Sequence, residues 1–134
     1  MQLAMTRFLK NSSKIQLIVV IAASVVFWIV AHQVLGVREA WDSENFLWAY
    51  LLAIALTSFF GALFDQNYIL WGWVVIFSEL LVMIVADGFS PFLLVGIVTL
   101  FFLAMPAVGA AWLAAKAAAW FDRNRRASEI KPDH

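Results

Sequence analysis

The sequence predicts an all-α polytopic membrane protein, a four-transmembrane-helix antiparallel bundle, and three observations carry that expectation. First, 64% of the 134 residues are apolar and 13% charged, with a mean hydropathy of +0.87. Soluble domains are about 45–50% apolar and about 25% charged; a chain this short cannot hide the excess in one core, so the surplus faces lipid. Second, four apolar stretches, 15–37, 46–64, 69–86 and 91–119, each reach the roughly 17–25 residues that cross a ~30 Å hydrocarbon core. Third, the basic residues gather at the two ends of the chain, with Arg38 alone between. The stretches are too long and too continuously apolar for strands, and membrane barrels alternate over about ten residues instead. The absence of cysteine excludes disulfides, thiol catalysis and thiolate metal centres.

The N-terminal segment 1–14 carries Arg7, Lys10 and Lys14. The apolar run behind it exceeds the 7–15 residues of a signal-peptide core and no small-x-small site follows, so it reads as a permanent anchor. Lys116, Arg123, Arg125, Arg126 and Lys131 lie at the other end. The positive-inside rule then puts both termini in the cytoplasm of a bacterial inner membrane, which needs an even number of crossings. The loop 38–45, with Arg38, Glu39, Asp42 and Glu44, falls outside, as does 87–90, while Asp65 to Asn67 makes a tight inner turn. Asp42, Ser43 or Asn45 is placed to cap the second span and Asn67 the third. Asp87-Gly88 is a turn dipeptide that stops the third, and Ser90-Pro91 reads as an N-cap followed by proline at the first helical position. The short gaps make the second, third and fourth spans antiparallel neighbours. The segment 121–134 is a basic cytoplasmic tail, expected to lose structure from Ala127 onward.

Trp41 and Trp48 at the outer boundary, and Trp71, Trp73, Trp112 and Trp120 at the inner one, suggest an interfacial belt from which Trp28 departs. An aromatic cluster can also build a quinone, haem or lipid pocket, but belt and packing roles account for most of these positions.

Glu79 is the most informative residue, because a carboxyl near the middle of a span must be protonated, face other helices, or meet water or a cation. Its face holds Gly72, Val75, Ile76, Val82, Met83 and Ala86, with no base among them. If both spans start at a common inner boundary, His32 lies about 10 Å higher than Glu79, so the expected contact is His32 with Asp87 near the outer surface. Glu79, His32 and Asp87 are thus the candidate intramembrane polar site. Glu79 reads either as a proton- or cation-linked carboxylate or as a protonated acid held by Thr57, Ser58 or Ser24. Ser78 is expected to bond its own i−4 carbonyl.

In the last span, Ala107, Ala111, Ala115 and Ala119 form one ridge and Ala110, Ala114 and Ala118 the next, beside Gly109. Small residues at that spacing let a second backbone approach. The ridge can serve the first span, a second copy or a foreign subunit. Pro106 removes a backbone hydrogen bond and is expected to kink the helix. Arg123, Arg125 and Arg126 form a juxtamembrane patch for anionic headgroups, and Lys116 snorkels to the interface.

No phosphate loop, zinc-binding histidine pair or serine with a membrane-embedded base is present. The expectation is therefore a protein without enzymatic activity, cofactor or metal. Its partners are the lipid bilayer and either further copies of itself or a larger membrane complex. Nucleic acid is not expected, since three arginines on a chain of net charge zero give no extended basic face. Four helices in so short a chain resemble the small multidrug resistance transporters, but their essential glutamate lies in the first helix and the carboxylate here lies in the third. The run Gln16-Leu17 with Val19-Val20-Ile21-Ala22, together with an acid in the third helix, is similar to the small accessory protein of bacterial ATP synthase operons. The chain departs from that pattern in lacking a glycine-rich second helix and in having Met83 where a basic residue is expected. The function expected is a non-enzymatic accessory, scaffold or protective subunit, the alternative an oligomeric proton- or ion-coupled transporter using Glu79.

Overall fold

The computed structural model describes residues 2–36, 43–64 and 67–130, and all of its regular structure is helical. In chain order the elements are α1 (Gln2–Asn11), α2 (Ser13–Leu35), α3 (Phe46–Leu63), α4 (Tyr68–Asp87) and α5 (Leu93–Glu129). The last four are long and apolar enough to cross a membrane, where only backbone satisfied within its own helix is tolerated. The protein is thus a multi-pass membrane protein with a four-helix bundle. Arg38, Glu39, Trp41, Asp42, Asp65, Gln66, Lys131 and His134, which figure in the sequence reading, lie outside the described residues.

The helices end where local chemistry ends them. Gly88 has φ +73° and its amide donates to the Ile84 carbonyl at 2.9 Å, closing α4 after Asp87. Gly36 closes α2 in the same way through the His32 carbonyl. The expected caps at Asn45 and Asn67 are not made by their side chains. Ser43, another of the residues expected there, accepts the Asn45 amide through its Oγ at 3.1 Å, and the Trp71 indole at the start of α4 donates to the Phe64 carbonyl at the end of α3 at 2.9 Å. Ser90 accepts the Phe92 amide at 3.3 Å, but Pro91 and Phe92 form a turn and α5 starts at Leu93.

Two boundaries differ more. The basic leader is partly helical, as α1, and the basic tail is not a tail: α5 runs unbroken for 37 residues to Glu129, so the expected loss of structure from Ala127 does not occur there. The sequence after Ala115 is rich in alanine, arginine and other strong helix formers, which keeps the helix going once the apolar stretch has ended.

α4 lies at the centre, packed on α2, α3 and α5. α5 packs on α3 and α4, whereas α2 rests mainly on α4, touches α3 lightly and does not reach α5 among the described residues. The α3–α4–α5 trio is held by very close backbone approach. A Cβ on Gly61 would lie 2.5 Å from the Ala111 carbonyl oxygen, and one on Gly72 would lie 2.7 Å from the Val108 Cα. Lipid supplies no hydrophobic drive between helices, so this van der Waals contact is what holds them.

The alanine ridge serves that contact. Ala104, Ala107 and Ala111 are fully buried and Ala115 nearly so. The ridge therefore faces α3 and α4, not the first span, and Ala119 at its end is exposed. Pro106 cannot bond the Phe102 carbonyl. Next to that gap, the Tyr50 hydroxyl donates to the Leu103 carbonyl at 2.7 Å, tying α3 to α5 where the helix is weakest. Trp48, Trp112 and Trp120 are exposed, as a belt requires, but Trp71 is wholly buried and belongs to the core, packed edge-on against Phe64. Trp73 lies against Phe101 of α5, with ring centroids 5.2 Å apart.

Candidate functional site

The buried face of α2 is a ridge at four-residue spacing: Gln16, Val20, Ser24 and Trp28 are buried, and His32 follows one turn later. Along this ridge α2 meets α4 in parallel. The Trp28 indole donates to the Val75 carbonyl at 2.7 Å, which is also the acceptor for the Glu79 amide inside α4. One turn on, His32 Nε2 stands 3.6 Å from Glu79 Oε1. Both contacts join residues 47 apart in sequence, so they are successive rungs of one register. Glu79 is completely buried and the His32 side chain keeps 12% exposure.

This geometry corrects the expected pairing. Beginning both spans at one boundary separates His32 from Glu79, but the register brings them level. Ser13 then lies about 12 Å farther than Tyr68 toward the basic end of the bundle, where α2 begins and α5 leaves. The same shift moves the pair off the midplane. Glu79 lies about 12 Å along α4 from Asp87, while His32 lies about 27 Å along α2 from Lys14. Asp87 is exposed, two turns beyond Glu79, and the structure does not bring it to His32.

The alternative holders of Glu79 are otherwise engaged as donors. The hydroxyls of Ser24, Thr57 and Ser58 donate to the carbonyls of Val20, Ala53 and Ile54. Ser78 donates to the Val74 carbonyl at 2.6 Å, as its position suggested. The carboxyl is thus addressed from α2, by the only base within ion-pair distance among the described residues. No three His, Asp or Glu side chains gather among them. At 3.6 Å the two groups are within ion-pair but not hydrogen-bond distance, and either as imidazole with carboxylic acid or as imidazolium with carboxylate they place no net charge in lipid.

Trp28 and Gln33 were not singled out as site residues from sequence. The signal for Trp28 was its place one turn before His32 on a ridge that repeats every four residues. Nothing comparable marks Gln33, which lies beside His32 on the wall of a groove of about 350 Å³ between α2 and α4. A second groove of about 300 Å³ separates α2 from α3.

At the basic end, Arg123, Arg125 and Arg126 are exposed on the helical stalk of α5. Arg126 reaches Asp122 at 3.3 Å, an exposed i,i+4 pair that contributes little to stability.

No protein-family model, curated protein or solved structure matches the chain.

Proposed function

We propose that the chain is a small bacterial inner-membrane protein with both ends in the cytoplasm. In this reading it works without catalysis, as an accessory or scaffold subunit that receives a transmembrane helix of a second copy or of a larger complex. The carrying observation is the one-sided seating of α2. The trio α3–α4–α5 is closed by backbone contact, but α2 rests mainly on α4, touches α3 only lightly and leaves a largely apolar groove against it. Phe27, Val30 and Val34 form one wall and Trp48 and Leu52 the other. A groove of about 300 Å³ with these walls suits the side-chain ridge of an apolar helix laid across it, which gains packing there that lipid chains give less well.

Native mass and co-purification in mild detergent test this. Val34 is 79% exposed on the groove rim, so Val34→Trp should fill the groove without disturbing the core. The expected result is an oligomer, or a stoichiometric partner, for the wild type and its loss in the variant at unchanged melting temperature. A wild type that runs as a bare monomer, or assembly indifferent to Val34→Trp, overturns the proposal.

One observation favours a second reading, a proton-linked transporter: the buried His32–Glu79 pair is chemically able to take up and release a proton. In proteoliposomes, that reading expects Glu79→Gln to abolish proton flux while the protein stays folded and assembled. Flux unchanged in the variant removes it.

A further inference from the structure

The groove between α2 and α4 has apolar walls, among them Ile29, Leu81, Val82 and Val85, with the half-buried His32 and the exposed Gln33 as its polar lining residues. His32 Nε2 is wholly buried toward Glu79, yet the side chain is 12% exposed. The exposed part of the side chain therefore excludes Nε2, and His32 lines the groove. The imidazole and the Gln33 amide are thus the polar groups that a molecule seated between these apolar walls meets.

We propose that this groove is a binding site for a neutral amphiphile with a hydroxyl-bearing ring as its head and an apolar tail. The ring lies against His32 and Gln33, and the tail runs along Ile29, Leu81 and Val85. Each feature of the ligand answers a feature of the wall. The groove opens on the lipid-facing surface, where Leu81 is 51% and Val85 84% exposed, so the ligand arrives through the membrane. Apart from His32, no lining residue is ionisable, so a permanently charged head has no counter-ion there. The volume of about 350 Å³ is at the small end of ligand sites and fits one ring with a short chain. A phospholipid acyl chain would satisfy the apolar walls and leave His32 and Gln33 facing carbon. The hydroxyl also lies one imidazole away from the Glu79 carboxyl. The site is independent of the α2–α3 groove and stands or falls apart from the scaffold reading.

The chain has two histidines, His32 and His134, so ¹⁵N-histidine labelling gives one site signal and one reference. The protein in lipid nanodiscs is titrated with 4-octylphenol and, separately, with octylbenzene, which lacks only the hydroxyl. Octylphenol should shift the His32 ring nitrogens, leave His134 unmoved, and saturate at a concentration about fivefold or more below octylbenzene, the effect of one net hydrogen bond. Leu81→Trp, which fills the groove from its rim, should abolish saturation by octylphenol while the His32 signal stays at its ligand-free position. Equal midpoints for the two probes, no saturable His32 shift, or a dimer in which neither probe reaches His32 each overturns the proposal.

Discussion

Removing the imidazole from His32 takes from the fully buried Glu79 the base that stands 3.6 Å away, while the carboxyl stays inside the bundle. Breaking a buried pair on one side is expected to be worse than replacing both partners. His32→Leu should therefore lower stability in detergent by about 3 kcal/mol, and His32→Leu with Glu79→Leu should recover most of that loss. Reversible unfolding of the two single variants and the double variant measures the coupling directly, and simple additivity would show that the two side chains do not act as a pair. Trp28 offers an internal comparison on the same ridge. Trp28→Phe removes one hydrogen bond to the Val75 carbonyl and keeps most of the ring, so its effect should be nearer 1 kcal/mol. The presence of an intramembrane carboxyl was legible in the sequence from Glu79 alone. Its partner was not, because the distance between His32 and Glu79 depends on how far α2 slides along α4, and no single span encodes that offset.

Among the helices, the glycines separate contact from mere composition. Gly61 and Gly72 press against the backbone of α5, whereas Gly109 has open space where a Cβ would go. Gly61→Ala meets a carbonyl oxygen and a Cα that cannot turn aside, so the crossing must widen at a cost of about 1–3 kcal/mol. Gly109→Ala meets nothing and should gain about 0.5–1 kcal/mol from helix propensity alone. Gly72→Ala adds a control. Its nearest neighbour is the Val108 Cγ2 at 2.5 Å, but the Val108 Cα and amide nitrogen follow at 2.7 Å, so trimming that side chain by Val108→Ala should not rescue it. Opposite signs for positions 61 and 109 in thermal denaturation check the packing of the trio. The four spans, their limits to within a few residues and the small-residue face of α5 could be read from length, hydropathy and the alanine spacing. Which neighbour that face meets could not. Gly61 and Gly72 are single glycines in apolar runs, and only their opposition to α5 in space gives them meaning.

At the scale of the molecule, the bundle is staggered, and the stagger explains why a count along each span misplaces the site. α3 and α4 have 18 and 20 residues, close to one bilayer crossing, while α5 has 37 and is about 56 Å long. The excess of α5 emerges at the basic end as an exposed stalk that carries Arg123, Arg125 and Arg126. α2 starts below the α3–α4 turn at the same end. A sequence reading that begins every span at one plane therefore lifts His32 toward Asp87, whereas packing of Trp28 on Val75 lowers it to Glu79. The natural chain has no cysteine, so the two registers can be told apart by paired substitutions read with a short thiol cross-linker. Gln33 and Leu81 line the same groove from opposite helices, so Gln33→Cys with Leu81→Cys should link efficiently in membranes. Gln33→Cys with Asp87→Cys should not, because position 87 lies about 9 Å farther along α4 than position 81. Efficient linking of the second pair in place of the first would restore the common-plane register and separate His32 from Glu79. The groove between α2 and α4 would then lose the imidazole that gives it chemistry.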